Sequence, residues 1–195
     1  MVEVHRSAVR ALGERPRAVL LDTPYAFQEN AADISVRARG YFARSVGLDV
    51  EIGGDVAGAD WIFSGPGSPT YALDQWSRSS VRADLRGRVA GGFGVTVLAS
   101  AAACTTGVAT VPVYEIYKVG AAPHWREGLD LLAALGLRVV VIPHYDNAEG
   151  GTHDTRYCYL GERRLSRMEA DLPAGVAVLG LDEWPPRPRR CPPGR

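Results

Sequence analysis

Val95-Thr-Val-Leu-Ala-Ser100-Ala-Ala-Ala-Cys-Thr-Thr-Gly107 is the stretch from which the rest of the chain can be read. Val95 to Leu98 is a short β-branched, apolar run, the pattern of a buried strand. A lone hydroxyl follows at Ser100, and then Ala101, Ala102 and Ala103, which suit the start of a closely packed helix. Strand, hydroxyl, helix is the layout of a nucleophile elbow. In such an elbow a strained turn lifts the serine above the sheet edge and leaves the next backbone N–H free to hold an oxyanion. The usual form is G-x-S-x-G, and here Leu98 and Ala102 stand where the glycines would be. Two readings of Ser100 are open at this point: nucleophile, or ordinary helix N-cap.

Working upstream, Asp60-Trp-Ile-Phe-Ser64 reads as a strand running into Gly65-Pro-Gly-Ser-Pro69. That turn is rich enough in glycine either to bring backbone close to a ligand or simply to reverse the chain. Further strands are expected at Arg17–Asp22 and Leu48–Ile52. Helices are expected over Met1–Leu12, from an Asn30 cap to Gly47, and over Leu73–Leu85.

Downstream, Val111–Tyr117 is apolar around Glu115, and alternation would set Glu115 on one face with Val113 and Tyr117. Trp125–Leu135 has the spacing of an amphipathic helix. Arg138-Val-Val-Val-Ile142 is the clearest parallel-type strand, and it delivers Pro143-His144-Tyr145-Asp146-Asn147. A helix over Glu162–Glu169 and a strand over Val176–Leu181 complete the pattern. Strands alternating with helices imply an α/β fold: a doubly wound, mostly parallel sheet with helices on both faces, flavodoxin-like in layout. Ligands of such sheets gather at the carboxyl ends of the strands. Gly65–Pro69, Ser100 and His144 each follow a strand end.

The 195 residues fit one α/β domain over 1–183, with a Pro/Arg-rich tail over 184–195. Twenty-two basic residues balance twenty-two acidic ones, which argues against nucleic-acid or membrane partners recruited by bulk charge. Cys104, Cys158 and Cys191 are odd in number and lack C-x-x-C spacing, so neither a disulfide framework nor a zinc knuckle is expected, and the reading as a whole implies no metal or organic cofactor. With no long apolar run, a cytoplasmic setting is expected.

A serine nucleophile needs a base, and the base needs an orienting group. Of the four histidines, His144 alone directly follows a buried strand. Glu115 is costly to bury without a partner, so it is expected either to turn to solvent or to pair, with Lys118 or His144 as the partner. Tyr145, Asn147, His153 and Arg156 are expected to line the substrate side. Cys104, one helical turn beyond Ser100, is a rival nucleophile, and a non-catalytic binding protein is the rival from another class.

The order Ser100, Glu115, His144, with the glycine turn upstream, resembles the peptidase S51 family, which contains dipeptidase E and cyanophycinase. The resemblance runs over roughly residues 17–183 and includes the Arg164-Leu165 pair. It implies a class I glutamine amidotransferase-like fold and a serine hydrolase acting on a small peptide or amino-acid derivative. On that likeness Ser100 attacks, His144 is the base, Glu115 orients it, and Gly67 and Ala101 donate the oxyanion N–H groups. Ser68 falls on the substrate side. Such relatives begin with a strand and a glycine-rich loop and continue in strand where this chain has Trp184–Arg195. The reading therefore expects a chain lacking its first strand, with a homodimer as the assembly considered.

Overall fold

The computed structural model describes residues 2–147 and 154–182. His153 and the tail read over 184–195 lie outside them. Helix α1 (Val2–Arg10) opens the chain and is followed by β1 (Ala18–Leu21), α2 (Ala31–Tyr41), β2 (Val50–Ile52) and β3 (Trp61–Ser64). Next come α3 (Pro69–Ser77), α4 (Val81–Gly91) and β4 (Val95–Leu98). The four strands form one parallel sheet in the order β2-β1-β3-β4, in which β3 pairs Trp61 with Val95 and Ser64 with Leu98.

Period-two alternation sends the side chains of each strand to two different cores. Val19, Leu21 and Ile62 face one side and pack with Leu73, Trp76 and Leu85 of α3 and α4. Ala18, Leu20 and Trp61 face the other and pack with Phe42, Val46 and Leu48, with Ile34 and Ala38 of α2 against them. A strand covered on both faces must be apolar throughout, and β1 and most of β3 are. The fold is thus a mixed α/β architecture around a mostly parallel sheet.

The second half is built differently. After β4 come α5 (Ala101–Cys104), β5 (Ala109–Thr110), α6 (Val113–Tyr117), β6 (Arg126–Glu127) and β7 (Val139–Pro143). The described chain ends with α7 (Glu162–Ala170) and β8 (Ala177–Leu181). β7 and β8 pair in parallel with each other, but among the described residues neither joins the four-stranded sheet. A groove of about 280 Å³ lies where the sheet is interrupted, lined by Leu98 of β4, Val141 of β7 and Leu179 and Leu181 of β8. Their core is separate too, with Cys104, Val111, Ile116, Ile142, Leu165 and Met168 at its centre.

Three expected elements differ. The helix read over Leu73–Leu85 is two helices: α3 starts earlier, where Ser68 Oγ accepts from Tyr71 N–H, and ends before Ser80 precedes α4. The amphipathic helix read over Trp125–Leu135 is instead β6, a turn with Asp130 at φ 53°, and a 3-10 turn over Leu132–Leu135. Val111–Tyr117, read with strand-like alternation, becomes helical after Pro112. Asn30 precedes α2, but its side chain makes no capping bond.

Candidate active site

Ser100 sits between β4 and α5 at φ 49°, ψ −121°. A non-glycine residue is held there only when its surroundings over-determine it. They do: Ala99 N–H donates to Ser64 O, and Ala102 N–H donates to Gly65 O and Ala99 O. The elbow is therefore tied to the end of β3 on one side and closed on itself on the other. Ala102 is wholly buried, and Leu98 is packed against the same core. The turn forms without either glycine.

Gly67 is the neighbouring wall. Its φ is 142°, and a Cβ there would lie 2.0 Å from Pro24 O. Only glycine allows this approach, in which the turn after β3 rests on the turn after β1 and Ser68 N–H donates to Pro24 O at 2.7 Å. Among the described residues, the N–H groups of Gly67 and Ala101 donate to no backbone carbonyl outside their own elements. Both residues line a pocket of about 310 Å³ that also contains Ser100 and His144.

β7 delivers the histidine. His144 takes φ 54° directly after Pro143, and its Nε2 lies 3.0 Å from Ser100 Oγ. Its Nδ1 lies 3.2 Å from Asn147 Nδ2. The amide has two ends. With Nδ2 donating to Nδ1, the ring proton is on Nε2 and the hydroxyl accepts it. With the amide turned over, Oδ1 accepts from Nδ1–H, and Nε2 offers its lone pair to the serine. The second arrangement is the one a general base needs.

Glu115 is the correction. It does not meet His144; its Oε2 accepts from Thr70 Oγ1 at 3.0 Å. The cause is the helical form of α6, whose period turns Glu115 toward α3 rather than along a strand face. There it also lies in the field of Arg126, which forms a 2.7 Å ion pair with Asp74 of α3. Lys118, the other partner considered for Glu115, has its ammonium 4.0 Å from the centre of the Tyr114 ring. Cys104 is also set apart from the elbow. It is fully buried, its Sγ lies 3.8 Å from Cys158 Sγ, and that contact together with burial raises its thiol pKa.

The remaining expected substrate contacts separate into groups. Ser68 is buried and occupied as the α3 cap. The Tyr145 ring packs edge-on to Tyr157 at 4.9 Å and against Gly180, beside the core of the second half. Arg156 is exposed and forms a 2.7 Å ion pair with Asp154, whose carboxyl pKa is lowered to about 2 by that pairing. Asn147 stands behind the imidazole instead of on the substrate side. Its place three residues after His144, inside one turn, was the available signal. The pocket is also lined by Tyr114, Tyr117, Lys118 and Tyr159, which the sequence reading did not assign to a site.

No protein-family model matches the chain, and no curated protein matches it in sequence. Solved structures do. The chain is similar to a peptidase from an acI-B1 actinobacterium at 15% identity and TM-score 0.67, over 93% of this chain and 74% of that one. It is also similar to a Peptidase E candidate from Listeria monocytogenes EGD-e, at 14% identity and TM-score 0.52, over 90% of this chain and 84% of that one. At these identities the likeness establishes the fold: the chain has the architecture of these peptidases.

Proposed function

We propose that this protein is a serine-type hydrolase that cleaves an amide bond in a small peptide or amino-acid derivative. The observation that carries the reading is Ser100 in a strained elbow with its Oγ 3.0 Å from His144 Nε2, both on the wall of one pocket. A serine that only caps a helix has no need of a φ near 49° or of an imidazole.

Ser100 Oγ attacks the carbonyl carbon as His144 Nε2 takes its proton. The oxyanion so formed is received by the N–H groups of Gly67 and Ala101. His144 then gives its proton to the leaving amine, and water repeats the cycle on the acyl-enzyme. Asn147 orients the ring through Oδ1, the role assigned to an acid in the S51-like pattern. The peptidase architecture of the structural neighbours favours an acyl-transfer reaction, and the pocket of about 310 Å³ suits a substrate of one or two residues.

The test is release of free amine from a panel of dipeptides and aminoacyl anilides. Turnover by the wild type that disappears in Ser100→Ala supports the reading. Equal turnover by both proteins, or binding of panel members without turnover, replaces it with the binding-protein reading.

A further inference from the structure

The mechanism leaves two buried thiols unused beside the pocket. Cys104 ends α5, the four-residue helix that begins just after Ser100. Cys158 belongs to Tyr157-Cys158-Tyr159, three consecutive non-glycine residues at φ 54°, 54° and 65°. The two sulfurs are 3.8 Å apart, both residues are nearly inaccessible, and Cys158 contributes to the pocket wall. A strained run is favourable only while its packing holds it, so this is a segment with somewhere to go.

We propose that Cys104 and Cys158 form a reversible disulfide that fastens the Tyr157–Tyr159 wall to the nucleophile helix and turns the site off. Bonding requires the sulfurs to close from 3.8 Å to about 2.0 Å. Both cysteines belong to the core of the second half, but Cys158 lies in the strained Tyr157–Tyr159 run and Cys104 in a helix, so Cys158 makes most of that movement. Tyr159 moves with it, and its ring stands edge-on to His144 with centroids 6.4 Å apart. A displacement of about 1 Å at a general base costs about a hundredfold in rate.

The oxidant is hydrogen peroxide, which is small enough to enter the pocket. Cys158, as thiolate, attacks the distal peroxide oxygen. The O–O bond breaks, hydroxide leaves and takes up the proton that Cys158 released to become the first water, and a sulfenic acid forms. Cys104 then loses its proton and attacks that sulfur, the S–O bond breaks, and a second water departs. Two thiols have given two electrons to one peroxide, with two waters as products. Cys158 lines the pocket that the peroxide enters and Cys104 does not, so Cys158 suits the attacking role and Cys104 the resolving one.

The inhibitory half rests on the hydrolase reading, so the experiment reads the bond and the site separately. A Cys191→Ser chain, which removes the third thiol, is treated while folded with one equivalent of hydrogen peroxide. It is then alkylated and mapped by peptide mass. In parallel, Ser100 is labelled with a fluorophosphonate probe. The expected result is a linked Cys104–Cys158 peptide pair, labelling slowed about 10–100-fold, and full recovery with dithiothreitol. A Cys104→Ala chain, which cannot form the pair, should label at the same rate with and without that treatment. Free thiols in the mapped, folded protein overturn the proposal, as does a linked pair with unchanged labelling. If the reduced protein takes no label at all, the hydrolase reading fails instead, and the map alone decides the pair.

Discussion

Ser100 and His144 reach the same pocket from halves of the molecule that are held together very differently. Ser100 follows β4, a strand hydrogen-bonded into a four-stranded sheet with two apolar cores, one on each face. His144 follows β7, whose strand partner is β8 alone among the described residues, and β8 is largely exposed, with Leu179 and Leu181 each more than a third accessible. The nucleophile is thus placed by the global fold. The base is placed by a smaller body leaning on the first. The halves meet at several points, among them Thr70 with Glu115 and Asp74 with Arg126, and β7 is seated along a seam where Gly107 lies against it: Val108 N–H donates to Val139 O, and a Cβ on Gly107 would lie 2.2 Å from that same oxygen.

The contrast can be broken most forcefully from the first half. Ile62 is wholly inaccessible in the middle of β3. Ile62→Ala should cost about 2–5 kcal/mol, whereas Leu179→Ala on β8 should cost less than about 1 kcal/mol, both read from urea denaturation. Comparable costs would mean that the second half is as tightly integrated as the first.

Gly107→Ala probes the seam. Its Cβ would meet backbone atoms of Val139 and Val140 that cannot rotate away. A loss of about 1–3 kcal/mol is expected, with hydrolysis falling further than the loss of folded protein explains. A variant with wild-type stability and activity would remove the seam from the account.

Asn147→Ala should leave the melting temperature within about 2 °C, because the residue is only half-buried and lies outside all three cores. Turnover should fall about 10–100-fold through loss of ring orientation. Glu115→Gln should change turnover much less, since its hydrogen bond is with Thr70. The reverse ranking would restore the carboxylate as the orienting group.

The smallest effect is a pH dependence confined to the first half. His5 is buried among the rings of Phe42, Trp61 and Phe63, and its Nδ1 has no partner among the described residues. Burial lowers its pKa below the usual 6.5. Unfolding lets it take up a proton that it resists when folded, so stability falls as the pH drops through and below that value. Differential scanning calorimetry should show this acid-side slope reduced in His5→Leu. An unchanged slope would assign it to other groups.

The first half was legible in the sequence because its signals are local. Runs such as Arg17–Asp22 and Asp60–Ser64 are continuous and apolar, and their turns are marked by glycine and proline. Ser100 and His144 were legible as strand-end residues for the same reason. What sequence reading missed depends on approach between distant segments. Gly128 sits where a Cβ would lie 2.1 Å from Gly107 O, so the chain cannot continue there as the helix that its apolar spacing over Trp125–Leu135 suggests. Pro112 converts an alternating pattern into a helical one and carries Glu115 to Thr70. That left Asn147, an unremarkable polar residue in a turn, behind the imidazole. The break between β4 and the β7–β8 pair is likewise invisible in strands that each read as parallel and buried.

The central claim is that Ser100 is an activated nucleophile because His144 Nε2 lies beside it. It is tested most directly by the rate at which a fluorophosphonate probe labels the folded chain, with the modified residue identified by peptide mass. The account predicts one label, on Ser100, absent in Ser100→Ala and slowed at least about a hundredfold in a folded His144→Ala chain. Labelling of Ser100 at the same rate with and without His144, or no labelling of folded wild-type protein, would contradict it.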